Sequence, residues 1–153
     1  MKKGFTMIEL IFVIVILGVL ASVAIPRLAA TRDDAEVAKA ATNLATAISD
    51  ITAYYTAKGK FDSNATNNMQ NITNALTTTG ELKMKDSVCA KVTLPEIKDS
   101  TTKVELEINF TGKDAACTTL KGLSSVKQMC GNKMSGSGSK CKIQIGGSGG
   151  IAW

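Results

Sequence analysis

Few residues in this chain have side chains suited to chemistry, and one type is missing altogether. Histidine does not occur in the 153 residues, which removes Ser-His and Cys-His nucleophilic systems, imidazole bases and every histidine-containing zinc site. Four cysteines are present, Cys89, Cys117, Cys130 and Cys141, and no two are close enough to form the pair of a zinc knuckle or a redox motif. An even number in an exported chain favours disulfides, and four cysteines allow three pairings. Nowhere does the sequence set a base beside a nucleophile, so the expectation is a protein without catalytic residues, cofactor or bound metal.

Two stretches have the look of modification or ion sites. Asp62-Ser63-Asn64-Ala65-Thr66 and Glu107-Ile108-Asn109-Phe110-Thr111 each carry an acid two residues before an Asn-X-Thr sequon. Asn64 is the better acceptor, because Asn109 falls in a predicted strand. Asp62, Asn64 and Thr66 also share the spacing of a calcium loop, but the glycine and closing glutamate of such a loop are missing.

The net charge of +5 is an end effect. After Asp114 come Lys121, Lys127, Lys133, Lys140 and Lys142 with no acid among them. Lysines in this arrangement can contact DNA phosphates, but they are spaced out and have no aromatic neighbour except Trp153, so a solvated face is the favoured reading.

Positioning begins at the N-terminus. Residues 10–25, LIFVIVILGVLASVAI, are uncharged, and the run extends back to Phe5 with only Thr6 and Glu9 interrupting it. At about 1.5 Å per residue the run spans roughly 30 Å, the thickness of a hydrocarbon core. Lys2 and Lys3 precede it, which leaves the N-terminus inside and sends the remainder outward. Ser22-Val23-Ala24 offers the small residues of an ordinary signal-peptidase site. Glu9 and the Ala-rich helical pattern that continues past Ala24 argue against cleavage there.

Glu9 needs a reason to be where it is, since a charge in a membrane helix costs about 2.5–3.5 kcal/mol at the centre and less near an end. KKGFTMIEL resembles the prepilin signal of type IV pilins and pseudopilins: a short basic leader ending in Gly4, then Phe5, Thr6 and a glutamate four residues beyond the new terminus. The resemblance implies that prepilin peptidase cleaves between Gly4 and Phe5 and that Phe5 is N-methylated. It also implies that Glu9 pairs with the amine of a neighbouring subunit during assembly. Pro26 matches the proline that commonly kinks or melts the helix in this family.

Beyond Pro26 the apolar residues Val37, Ala41, Leu44, Ile48, Ile51 and Tyr55 recur at helical spacing, and Lys58 with Gly59 reads as the helix end. The spine is then a helix over about residues 5–58, roughly 80 Å long. Residues 60–80 read as a surface connection with a short helical stretch near 69–76. Strands are predicted over 88–94, 103–110 and 140–145, and a short helix over 117–130. The fold class is α+β, a long N-terminal helix packed on a small antiparallel sheet, which is also the fold the resemblance implies. In an antiparallel hairpin Cys89 comes near Phe110 and within reach of Cys117, which leaves Cys130 to join Cys141.

The organisation expected is a leader at 1–4, a transmembrane and assembly helix at 5–28, an amphipathic helix at 29–59, a head at 60–145 and a flexible tail at 146–153. The function expected is that of a pilus-like filament subunit, with its head in the periplasm before assembly. Its partners would be copies of itself or related pilins, prepilin peptidase, the inner-membrane assembly platform and inner-membrane lipid. A type II secretion or DNA-uptake pseudopilin has the same anchor. A single-pass periplasmic binding domain that never polymerises is the rival from another class, and it leaves Glu9 without a task.

Overall fold

A computed structural model describes residues 4–62, 67–95, 103–131, 134 and 139–147. Helix α1 spans Met7–Lys58 and runs through Pro26 without interruption. The chain divides into two compact units, Met1–Ala35 and Glu36–Trp153. In the first, every large apolar side chain from Phe5 to Leu28 is 43–86% exposed, so this stretch of α1 has no core of its own.

In the second unit α1 buries Val37, Ala40, Leu44, Ala47 and Ile51. Three of these belong to the predicted seam. Ala40 and Ala47 take its centre in place of Ala41 and Ile48, which are only partly buried. Alanine at the line of closest approach lets the helix lie near the sheet, while the larger Ile48 fits beside that line. The helix stops where the Gly59 amide bonds the Tyr55 carbonyl at 2.7 Å, with Gly59 at φ 69, a conformation that glycine adopts without steric cost.

Four antiparallel strands lie in chain order: β1 Glu81–Met84, β2 Ser87–Thr93, β3 Val104–Phe110 and β4 Lys140–Gly146. Strand β1 leaves little signature in the sequence. Its four residues give a single alternation, Leu82 and Met84 inward around Lys83, too short to distinguish from a turn. It pairs with β2 across a two-residue turn at Lys85 and Asp86, with Lys85 left-handed at φ 52 as such tight hairpins require. In β3, Val104, Leu106, Ile108 and Phe110 all point into the core, as strict alternation predicts.

Two departures concern the helical segments. Over 117–130 the predicted single helix is two, α2 Ala115–Gly122 and α3 Ser124–Met129, separated at Leu123 where ψ is 136°. Gly122, a poor helix former, lies just before this break. The stretch near 69–76 is a single 3₁₀ turn, Met69–Asn71, capped by the Asn68 side chain. Met69, Thr73 and Leu76 are buried there, so this connection also anchors in the head.

The cysteines form two disulfides, Cys89–Cys117 and Cys130–Cys141, with Cα separations of 5.0 and 5.5 Å. Strict alternation along β2 would point Cys89 and Ala90 to opposite faces, yet both are buried. The β1–β2 register passes from Leu82 opposite Ala90 to Lys83 opposite Val88, leaving Cys89 as the extra residue of a bulge. A bulge re-aims a side chain, and here it turns Cys89 inward toward α2. The Cys89 carbonyl accepts from the Thr111 and Gly112 amides at 3.1 and 3.3 Å, which folds the chain after β3 back over the bulge.

Gly112 is the tightest point of this arrangement. A Cβ there would lie 2.9 Å from the Cys89 Cα and 2.7 Å from the Cys117 Cβ. Neither can move without shifting the disulfide. Gly112→Ala is therefore expected to destabilise the head by about 1–3 kcal/mol, the usual cost of overpacking. Thermal unfolding of the full chain in detergent checks this, and an unchanged midpoint would remove the packing argument.

Candidate assembly site and head surface

The N-terminal residues build a site from two side chains, those of Thr6 and Glu9. Gly4, Phe5 and Thr6 precede the helix and are exposed. Thr6 is the residue at which α1 starts. Its backbone amide donates to Glu9 Oε2 at 2.9 Å, its hydroxyl donates to the same oxygen at 2.5 Å, and the Glu9 amide approaches Thr6 Oγ1 at 3.4 Å. This is a capping box, in which Thr and a Glu three residues later satisfy each other's end of the helix. The signal was present in the sequence as Thr-Met-Ile-Glu ahead of an apolar run, and a reading centred on the charge of Glu9 passes over it.

The capping box alters what Glu9 can do. Its carboxylate has a partner in its own chain, and both bonds fall on Oε2. Oε1 accepts no bond among the described residues and is left for an outside donor. The box uses only the amide and hydroxyl of Thr6, so cleavage between Gly4 and Phe5 would leave it whole. It would also create an amine one residue before the cap.

The rest of α1 up to Leu28 presents apolar side chains on all sides. It is the one helix among the described residues that is long and apolar enough to cross a membrane. Pro26 is helical here, and Ser22 donates its hydroxyl to the Val19 carbonyl at 2.9 Å in the turn before it.

On the head, the charges of the acid-free C-terminal stretch are redistributed. Lys140 lies 3.6 Å from Glu107 and Lys142 lies 3.7 Å from Glu105, both across the β3–β4 pair. These exposed pairs add little stability. They do remove two of the five lysines from any basic surface. Among the described residues Lys121 and Lys127 form no ion pair, and Lys133 lies outside them.

The candidate modification and ion sites are dispersed. Asn64 lies outside the described residues, as does Trp153. Asp62 is engaged, accepting from the Tyr54 hydroxyl at 3.1 Å and lying 3.8 Å from the Lys58 ammonium. The Tyr54 ring stacks on Phe61 at a centroid distance of 6.0 Å. Asn109 is half-buried in β3, with Lys91 and Lys140 as its cross-strand neighbours. Among the described residues no three His, Cys, Asp or Glu side chains gather as a metal site.

Residues 1–25 match the family model described as the prokaryotic N-terminal methylation motif, the prepilin-type signal of type IV pilins and pseudopilins. No curated protein and no solved structure matches the chain.

Thr6→Ala removes the cap hydroxyl and is expected to cost the first turn about 1 kcal/mol. Amide exchange at Glu9 should then quicken roughly fivefold, since about 1.4 kcal/mol corresponds to a factor of ten. Hydrogen exchange of the chain in micelles reads this directly, and unchanged protection would show that the cap does not hold the turn.

Proposed function

We propose that the chain is a structural subunit of a type IV pilus-like filament. Residues 5–28 hold it in the inner membrane with its head in the periplasm, prepilin peptidase cleaves between Gly4 and Phe5, and the methylated subunit is then extracted into a helical assembly. The observation that carries this reading is the methylation motif at residues 1–25 lying on a helix whose apolar side chains are all exposed. Lipid covers those side chains before extraction, and α1 helices of neighbouring subunits cover them afterwards. The assembly platform and the peptidase act on the chain and are separate proteins.

Within the filament, the Phe5 amine of one subunit meets the Glu9 carboxylate of the next, and each neutralises the other in apolar surroundings. Support for this role comes from Glu9 Oε1, which is open while Oε2 holds the helix cap. Pro26 is the position at which α1 can loosen when subunits pack, because its nitrogen offers no hydrogen-bond donor to the helix.

The capping geometry supplies a test that a simple deletion of the side chain does not. Glu9→Gln keeps a capping-box residue but removes the charge, whereas Glu9→Ala removes both. If the charge pair drives assembly, both variants should be nearly absent from sheared filaments while remaining in the membrane. Normal incorporation of the glutamine variant would reduce Glu9 to a cap. Mass spectrometry of the mature chain is expected to show methylated Phe5 at its N-terminus, and finding Ile25 there would overturn the filament reading.

The motif does not separate a surface pilus from a type II secretion or DNA-uptake pseudopilus. Two disulfides and a C-terminal stretch without acids favour a pilus or a DNA-uptake device over a secretion pseudopilus, and of these we take the pilus. Deleting the protein is accordingly expected to abolish surface pili and leave protein secretion intact. Loss of secretion alone would make it a secretion pseudopilin.

A further inference from the structure

Between the flank of α1 and the β1–β2 turn lies a pocket of about 260 Å³, all of it within the unit that starts at Glu36. Its floor is apolar, made by Ala40 and Met84, both buried. Its walls are charged and polar. Glu36, Lys39 and Asn43 line it from α1, where steps of three and four positions put them on one face of the helix. Lys83 of β1 and Lys85 of the turn line the opposite side.

Three cations in this lining therefore meet one carboxylate. Lys39 and Lys83 are exposed and form no ion pair among the described residues, so the positive excess survives whatever Glu36 binds. Strand β1 is also an edge of the four-stranded sheet, and the outer amides of an edge strand add hydrogen-bond donors. Cations gathered in a cleft over an apolar floor focus their field on an anion. The volume is below the roughly 300 Å³ at which pockets for drug-sized ligands begin, so the anion is a small one. Lysine ammonium groups hold phosphate as point charges, and a carboxylate beside them suits a hydroxyl or an amine on the same ligand. No aromatic side chain lines the pocket, which leaves a base or sugar ring nothing to stack on.

We propose that this pocket binds the phosphate of a small polar ester, with Lys39, Lys83 and Lys85 directed to the phosphate and Glu36 and Asn43 to the alcohol or amine it carries. That group can come from a soluble ester or from a phospholipid headgroup. Eight positions separate Leu28 from Glu36, and a chain of that length spans at most roughly 29 Å however the two units are turned. The pocket is thus tethered near the end of the apolar span, where headgroups would lie. Only the lipid source rests on the membrane-anchored reading above.

The full chain in maltoside micelles, which carry no phosphate, provides the test, with its backbone amides followed by NMR. Inorganic phosphate should shift the amides of Lys39, Asn43, Met84 and Lys85 saturably, and chloride at equal ionic strength should not. Lys39→Gln, and separately Lys83→Gln combined with Lys85→Gln, should each weaken that binding at least about threefold, as losing an exposed charge pair does. Lys121→Gln on α2 should leave it unchanged. Nanodiscs of phosphatidylglycerol should reproduce the shifts without added phosphate where the ester is a lipid's. Shifts with phosphate that the nanodiscs do not reproduce support the site and assign it to a soluble ester. No shift with either probe, shifts matched by chloride, or equal weakening by Lys121→Gln would overturn the proposal. A chain that fails to insert into nanodiscs defeats the anchored reading, and the phosphate titration by itself then upholds or overturns the site.

Discussion

An uncovered apolar helix governs everything else in this protein. From Phe5 to Leu28 the large apolar side chains have no partner in their own chain. Burying one such side chain fully is worth about 1.5–3 kcal/mol, so covering the sixteen of them is worth on the order of tens of kcal/mol. That exceeds the net stability of a typical domain, about 5–15 kcal/mol. A monomer in water is therefore the least favourable state open to the chain. Lipid and a bundle of like helices both meet the demand, and moving between them costs little in apolar burial because one covering replaces the other. Polymerisation out of a membrane is feasible on that basis.

Against this background Glu9 is economical. A bare carboxylate at the start of the span is costly in lipid, yet here it also closes the helix by bonding the Thr6 amide and hydroxyl. The same residue can close the helix and still accept a bond from outside, because a carboxylate has two oxygens and the cap occupies one. Pro26 has a similar double character. It lies within a continuous helix, while its missing N–H removes one rung of the backbone ladder.

The unit from Glu36 onward faces the opposite problem, a small core that must hold its own shape. Five side chains of α1, the inner faces of four strands, the short helices and the connection around Met69 and Leu76 supply the core, and two disulfides tie the segments that the sheet does not pair directly. Cys89–Cys117 joins β2 to α2, and Cys130–Cys141 joins the end of α3 to β4. Each bridge of this kind is worth roughly 2–4 kcal/mol in the chain-entropy account, a large share of what so small a domain has to spare. Gly112 is the local condition for the first bridge, since a side chain there would occupy the space the disulfide fills.

The sequence by itself was sufficient for the features that depend on local pattern. An uncharged run long enough to span a membrane, the end of α1 at Lys58 and Gly59, and the alternation of β3 all follow from periodicity and backbone preference, which act within a few neighbouring residues. The prepilin-type signal was equally legible, because it is a contiguous motif. Tertiary structure alone decided the rest, wherever the outcome depends on what a residue meets from a distant part of the chain. Strand β1 is too short to declare itself and exists because β2 is there to pair with it. Cys89 turns inward only through the register of that pairing, and Ala40 and Ala47 displace Ala41 and Ile48 because the sheet requires close approach. Lys140 and Lys142, basic and unopposed in the linear sequence, meet Glu107 and Glu105 only when β3 and β4 are laid side by side.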